Sequence, residues 1–367
     1  MSGRARVLDI RDLKVARGGV GVGVLDLAEF FLDEGELVSL IGPNGCGKSS
    51  LLLSAMGLIE RVSGRIVYRG REVGSALKVL EYRRRIAMVF QEPLLFDTSV
   101  FQNVASGLKI RGLPPKIVKS RTMAALERFG LAHLADRQAG KLSGGEARRV
   151  SLARAFAIEP DVIFCDEPFA NLDTPTRQVL SEDLEKVIRE TGVSGVLVTH
   201  DPSEALRLSH RIVVMQEGRI VQSGTPAEVT SNPVNEFVAS FVGMETLLEA
   251  VVQRNVGGYI TASVAGREIH AVGDTAKGQK VYCGIRPESV TLAAANPTGE
   301  TSARNVFPAT IVGITSSGPF LKLNLDCGFR LVSYVTPESF AALRLGIGKK
   351  IFASFKATSV HLIPRAG

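Results

Sequence analysis

The sequence predicts an α/β domain built on a buried parallel sheet, followed by a separate all-β domain of OB-like barrel type. Three observations predict it. Gly42 to Ser49 reads Gly-Pro-Asn-Gly-Cys-Gly-Lys-Ser, between the apolar run Leu37–Ile41 and the helical run Ser50–Leu58. Strand, glycine loop and helix in that order is the setting a phosphate loop requires. The short apolar runs at 162–165 and 193–199 have the pattern of strands covered on both faces. After about residue 240 helical periodicity gives way to short alternating strands, as in Phe320–Asp326.

The elements follow in order. Val7–Ile10, Val24–Leu27 and Leu37–Ile41 are expected strands, and residues 49–58 a helix. Ile66–Tyr68 and Ile86–Phe90 are further strands. From Val100 to Ala157 the pattern is helical, broken at 112–115 and at Ser143-Gly144-Gly145. A helix over Pro175–Arg189 takes Asp173 or Thr174 as its cap and proline in its first turn. In the β-rich part, one short helix runs from a Thr336 cap to Leu345, with Gly346 as the stop. The expected domains are 1–240, with a helical subdomain at about 92–157, then a β-rich connecting part at 241–300 and a terminal module at 301–367. Residues 293–301 are the best linker candidate.

Of 367 residues, 45% are apolar and 22% charged, as in an ordinary globular protein. The absence of Trp and the scarcity of aromatics argue against a nucleic-acid platform, so no nucleic-acid partner is expected. The formal charge of +7 suits an anionic ligand or surface without choosing one. No run approaches the roughly 20 apolar residues of a membrane span. Met1–Arg6 leads into a strand pattern, not an apolar leader core. Cys46, Cys165, Cys283 and Cys327 are too scattered for a zinc site or a disulfide framework.

The chemistry concentrates around the loop. Gly42, Pro43, Asn44, Gly45, Cys46, Gly47, Lys48, Ser49 and Ser50 are expected to cradle a triphosphate on backbone N–H groups and a helix N-terminus. Lys48 would reach the β- and γ-phosphates and Ser49 would hold Mg²⁺. Val162–Phe164 leads through Cys165 to Asp166-Glu167, an apolar strand ending in two acids. The first acid suits the metal shell, and the second can polarise a water toward the γ-phosphate. Leu142-Ser143-Gly144-Gly145-Glu146 opens a helix and offers a second phosphate-binding N-terminus. Gln91 and His200 each follow an apparent strand end, and Asn171-Leu172-Asp173 follows the acids.

Taken in order, these motifs closely resemble the ATPase subunit of ATP-binding cassette (ABC) transporters, over roughly residues 5–240. The resemblance implies a phosphate-loop NTPase cassette acting as a head-to-tail homodimer. ATP at Lys48 of one copy is closed over by Ser143, Gly144 and Gly145 of the other. It also implies Glu167 as the base and His200 as γ-phosphate sensor. Gln91 joins Ser49 and Asp166 around the metal and links the site to integral-membrane permease subunits. The chain would sit at the cytoplasmic face of the membrane as a peripheral subunit. Two departures stand out. Glu146 replaces the family's usual Gln, and Lys14–Gly19 lacks the aromatic that stacks on adenine, leaving Arg17 as a candidate.

The end of the chain resembles the molybdate/tungstate-binding (TOBE/Mop) module, over 301–363. Ser302, Arg304, Asn305, Lys356, Thr358 and Ser359 offer the hydroxyls, amide and cations that a tetrahedral dianion wants. The expected function is therefore the ATPase of a tungstate or molybdate importer fed by an extracytoplasmic oxyanion-binding protein, with feedback by the anion at the barrel. The same cassette also suits import of sulfate, phosphate, ferric ion, a polyamine or a sugar. A non-transport ABC ATPase would be expected to carry two cassettes or a long coiled coil. A mere oxyanion store would not need the full catalytic set.

Overall fold

A computed structural model of the chain describes residues 5–16, 23–297 and 301–365. By its internal contacts the chain divides into two units, Met1–Pro226 and Ala227–Gly367.

The first unit holds two sheets. An antiparallel sheet has the strand order Gly23–Asp33, Arg6–Ala16, Ser63–Tyr68, Arg71–Glu72. A six-stranded sheet has the order Arg219–Gly224, Arg211–Gln216, Leu37–Ile41, Ser194–Val198, Val162–Asp166, Ile86–Val89, parallel except at the first pair. Leu37–Ile41 and Ser194–Val198 are buried along their whole length, which is why they read as unbroken apolar runs. Register pairs Leu40 with Val198 and Asp166 with Val198. The phosphate loop, the acid pair and His200 therefore leave the carboxyl ends of three adjacent parallel strands, where open α/β sheets bind ligands.

The helical insertion contains the helices Val100–Ile110, Pro115–Arg128 and Gly144–Ala157, starting with Ser99 as a cap that accepts from Gln102 N. Val104, Leu108, Leu126, Phe129 and Phe156 pack into a core with Leu180 and Leu184 of the helix Thr174–Thr191. Asp173 caps that helix, as its sequence suggests. The helix after the loop is shorter than expected, Lys48–Ala55.

The second unit has two five-stranded antiparallel sheets around one core. Their orders are Arg267–Val272, Tyr259–Val264, Thr246–Val256, Lys280–Ile285, Val360–Pro364, and Thr291–Ala293, Lys350–Phe355, Asn305–Ser317, Phe320–Asp326, Arg330–Val335. Two expectations change here. The 241–300 and 301–367 parts are not successive modules: Val360–Pro364 pairs with Lys280–Ile285, and Thr291–Ala293 pairs with Lys350–Phe355, so the parts exchange strands. The division from the first unit also falls before 240. The helices Pro226–Ser231 and Glu236–Phe241 belong with the β unit, where Arg286 donates to the carbonyls of Thr230 (3.1 Å) and Val242 (2.8 Å).

A shorter motif recurs within this arrangement. Lys280–Ala293 and the segment from Lys350 each run strand, 3₁₀ turn, strand, with Arg286 and Lys356 at matching places before the turn. Thr336 caps its helix by accepting from Ser339 N, but that helix spans only Pro337–Ala342. Among the described residues no helix is long and apolar enough to cross a membrane.

Candidate functional site

The loop conformation depends on glycine at two points. Gly42 has φ +156° and Gly47 φ +102°. A Cβ at Gly42 would lie 2.2 Å from the Met215 carbonyl oxygen, and one at Gly47 would lie 2.6 Å from Leu25 Cδ2. No side chain fits either place. Cys46 is buried beneath the loop, and burial pushes its thiol pKa up, which makes it an inert packing residue. Its carbonyl accepts from Gly218 N, tying the loop to the adjacent hairpin.

Lys48 is 6% exposed, and its ammonium donates to the carbonyls of Gly42 (2.8 Å) and Pro43 (2.9 Å). The cation is thus folded over the concave side of the loop. Pro43, Asn44, Gly45 and Ser49 are exposed beside it, with Ser50 half-buried. A cleft of 510 Å³ opens there, whose lining includes Asn44, Lys48, Ser49 and Glu167 as well as the aliphatic Val15 and Ile59. Among the described residues no aromatic ring lines it; Arg17 lies outside the described residues.

Asp166 sits half-buried at its strand end. Burial raises its carboxyl pKa above the ordinary range, although a hydrogen bond with Ser49 and the charge of Lys48 oppose the shift. A hydroxyl and a carboxylate in contact beside a phosphate site are hard oxygen donors. They suit Mg²⁺, which takes few protein ligands and keeps places for phosphate and water. Glu167 follows with φ +46°, and its N–H donates to Val198 O at 3.0 Å. That backbone turns its side chain toward His200, whose Nδ1 lies 3.5 Å from the Glu167 carboxylate.

His200 is anchored on both sides by residues that the sequence reading did not single out. Thr199 donates its hydroxyl to the buried Glu204 and accepts from Asp201 N at 3.0 Å. Asp201 caps the helix Pro202–Leu208 and pairs with Arg177 at 3.2 Å. Asp before Pro at a helix start was the readable signal.

Ser143, Gly144 and Gly145 head their helix but do not line the cleft of the same chain, and neither does Gln91, which is exposed after Ile86–Val89. Glu146 completes a capping box: Ser143 N donates to its carboxylate at 2.7 Å, and Glu146 N donates to Ser143 Oγ at 3.3 Å. That bond from Ser143 holds the carboxyl below its usual range. A Gln oxygen would accept the same bond, so the substitution preserves the cap.

In the β unit, register pairs Asn305 with Phe355, which sets Arg304 and Lys356 side by side at one strand end. Both are exposed, as are Ser302 and Thr358, and Ser359 is half-buried in the 3₁₀ turn. Asn305 differs from expectation. It is 1% exposed; its oxygen accepts from His270 N (2.7 Å) and its amide donates to His270 O (2.9 Å). Both polar ends are committed to latching the neighbouring strand, which removes it from the anion set.

A glycine loop, an acid pair and a strand-end histidine on adjacent parallel strands, with a helical insertion, define a nucleotide-hydrolysing cassette, and the chain belongs to the ATP-binding subunits of ABC importers. It is an ATPase. The ABC transporter family model matches residues 25–170 and the TOBE domain model residues 301–362. The chain is 36% identical to the molybdate/tungstate import ATP-binding protein WtpC of Pyrococcus horikoshii, over 91% of this chain and 94% of that one. It is 33% identical to the spermidine/putrescine import ATP-binding protein PotA of Haemophilus influenzae, over 84% and 83%. The solved structure of cbiO1 from Clostridium perfringens, part of the ABC transporter complex cbiONQ, superposes with a TM-score of 0.58 at 31% identity, covering 62% of this chain and 91% of that one.

Proposed function

We propose that this chain hydrolyses MgATP to drive import of tungstate or molybdate through separate membrane permease subunits, at the cytoplasmic face of the membrane. Lys48 exchanges its contacts with Gly42 and Pro43 for phosphate oxygens, and the N–H groups at the start of Lys48–Ala55 complete the cradle. Ser49 and Asp166 hold Mg²⁺, which neutralises phosphate charge when bound. Glu167 takes a proton from the attacking water, and His200 orients the γ-phosphate side of the site. Gln91 reaches the same metal and phosphate from its strand end.

Ser143 and Gly144 are exposed, Gly145 is half-buried, and none of the three lines its own cleft, so a second copy supplies them head to tail. Hydrolysis then depends on dimer closure, the step able to do mechanical work. Leu94 and Phe96 are each 57% exposed, although Arg154 fixes the backbone at Pro93 and Leu94. Apolar side chains held out by an anchored segment suit docking of a permease helix.

The adjacency of Arg304 and Lys356 carries the cargo reading: two cations with Ser302, Thr358 and Ser359 nearby suit a dianion, and the WtpC relative spans nearly the whole chain. An extracytoplasmic binding protein would deliver that anion to the permease, and cytosolic excess at the barrel would slow the ATPase. The similarity to PotA supports a second reading, a polyamine cargo with a structural barrel. Calorimetric titration of the full chain with tungstate, molybdate and sulfate tests both. Selective binding lost in Arg304→Ala and Lys356→Ala supports the first. No binding, together with transport of spermidine by the assembled complex, supports the second.

A further inference from the structure

The helix Gly144–Ala157 sends two arginines inward. Arg154 donates to the carbonyls of Pro93 (3.0 Å) and Leu94 (2.9 Å), just beyond Gln91-Glu92. Arg148 is 6% exposed, and its Nη2 donates to the Ala170 carbonyl at 2.9 Å, three residues beyond Glu167. The Ala170 N–H in turn donates to Glu167 O at 3.1 Å. One helix therefore holds both the segment after Gln91 and the turn after the catalytic acid.

Arg148 is incompletely matched. Its Nη1 is buried without a hydrogen-bond partner. An unmatched donor on a buried guanidinium is unfavourable. Burial lowers the Arg148 pKa, and the one charge opposing that shift is Glu92. Glu92 is exposed on the segment that follows Gln91.

We propose that Arg148 is a positioning residue for hydrolysis, holding the Glu167–Ala170 turn through Nη2 and receiving the Glu92 carboxylate on Nη1 when Gln91 engages bound nucleotide. The pairing satisfies the orphan donor only once Gln91 has engaged the bound nucleotide, a step after binding, so its loss lowers kcat and leaves the affinity for ATP. It also moves the Gln91 segment and the Glu167 turn as one body with the helix headed by Ser143. The proposal rests on the roles given above to Gln91 and Glu167.

The test uses the full chain with MgATP and the variants Glu92→Gln, Arg148→Lys and their double. Glu92→Gln is expected to lower kcat about tenfold while KM for ATP stays within about twofold. Its thermal midpoint should not move, because Glu92 is exposed. Arg148→Lys should match or exceed that loss, and the double should be no worse than Arg148→Lys alone. Wild-type kcat in Glu92→Gln overturns the pairing, even if Arg148→Lys fails to fold. So do losses that multiply in the double variant. Glu167→Gln run in parallel separates the outcomes: near-normal turnover there rejects the base assignment, not this coupling.

Discussion

His200 Nδ1 lies 3.5 Å from the carboxylate of Glu167, although the two residues come from different strand ends. The Glu167 side chain is 18% exposed and the imidazole 60%, so the pair joins a sheltered acid to an open ring. In the proposed mechanism the sheltered acid would take the proton of the attacking water and the open ring would face the phosphate.

Replacing Glu167 with Gln should keep ATP binding and lower kcat by roughly 10²–10⁴-fold, the usual contribution of a general base. Fluorescent-nucleotide binding and steady-state turnover measure the two quantities separately. His200→Ala should lower kcat too, with less effect in a Glu167→Gln background, because adjacent groups acting on one step are not additive.

Asp166 predicts an opposition between stability and activity. Its folded-state pKa is raised, so the ionised form is disfavoured in the fold above that pKa, and the penalty fades as pH falls through it. Asp166→Asn should therefore melt higher than the parent at pH 7, without nucleotide, with the difference closing toward acid pH. The same variant should lose hydrolysis in MgATP. A lower melting point at pH 7 would contradict the burial argument.

The Glu36–Arg211 pair predicts the reverse pH dependence. Arg211 donates to both Glu36 oxygens, at 2.7 and 2.9 Å, and also to Phe31 O. Burial pushes the Glu36 carboxyl up, but the bonds from Arg211 and Asp33 N outweigh it and hold the pKa below its ordinary value. Its stabilisation is present above the unfolded-state pKa, about 4.3, and is lost as pH falls through the folded value. Glu36→Ala leaves a buried cation unpaired and should cost about 3–5 kcal/mol near neutrality. Urea unfolding at pH 7 and pH 3.5 should show the deficit shrinking at the lower pH.

Asn305→Ala should destabilise the β unit by about 2–3 kcal/mol, since two His270 backbone groups lose their partners. Tungstate binding to the full chain should survive the change, at a temperature where the variant is folded. Loss of binding with an unchanged melting point would return Asn305 to the anion set.

The nucleotide site was legible because its chemistry is local. A phosphate loop needs glycines at fixed offsets, and a buried parallel strand has to be apolar along its length, so Gly42–Ser49 and Val162–Glu167 announce themselves in one dimension. The helix start at Ser143-Gly144-Gly145-Glu146 was legible for the same reason. Arg148, Thr199 and Arg177 were not, because their partners Ala170, Glu204 and Asp201 are set by packing of separate elements. The short Pro337–Ala342 helix was visible in its Thr336 cap, but its end was not.

The sequence by itself determined an ATP-hydrolysing cassette followed by a β-rich part, because motif spacing and hydrophobic period are properties of neighbours along the chain. Only the tertiary structure decided that residues 241–300 and 301–365 exchange strands and share a core, that Asn305 latches His270, and that the register sets the Arg304 and Lys356 positions opposite each other. Strand pairing across tens of residues follows from which faces can be buried together. That is a property of the whole unit, and no local pattern encodes it.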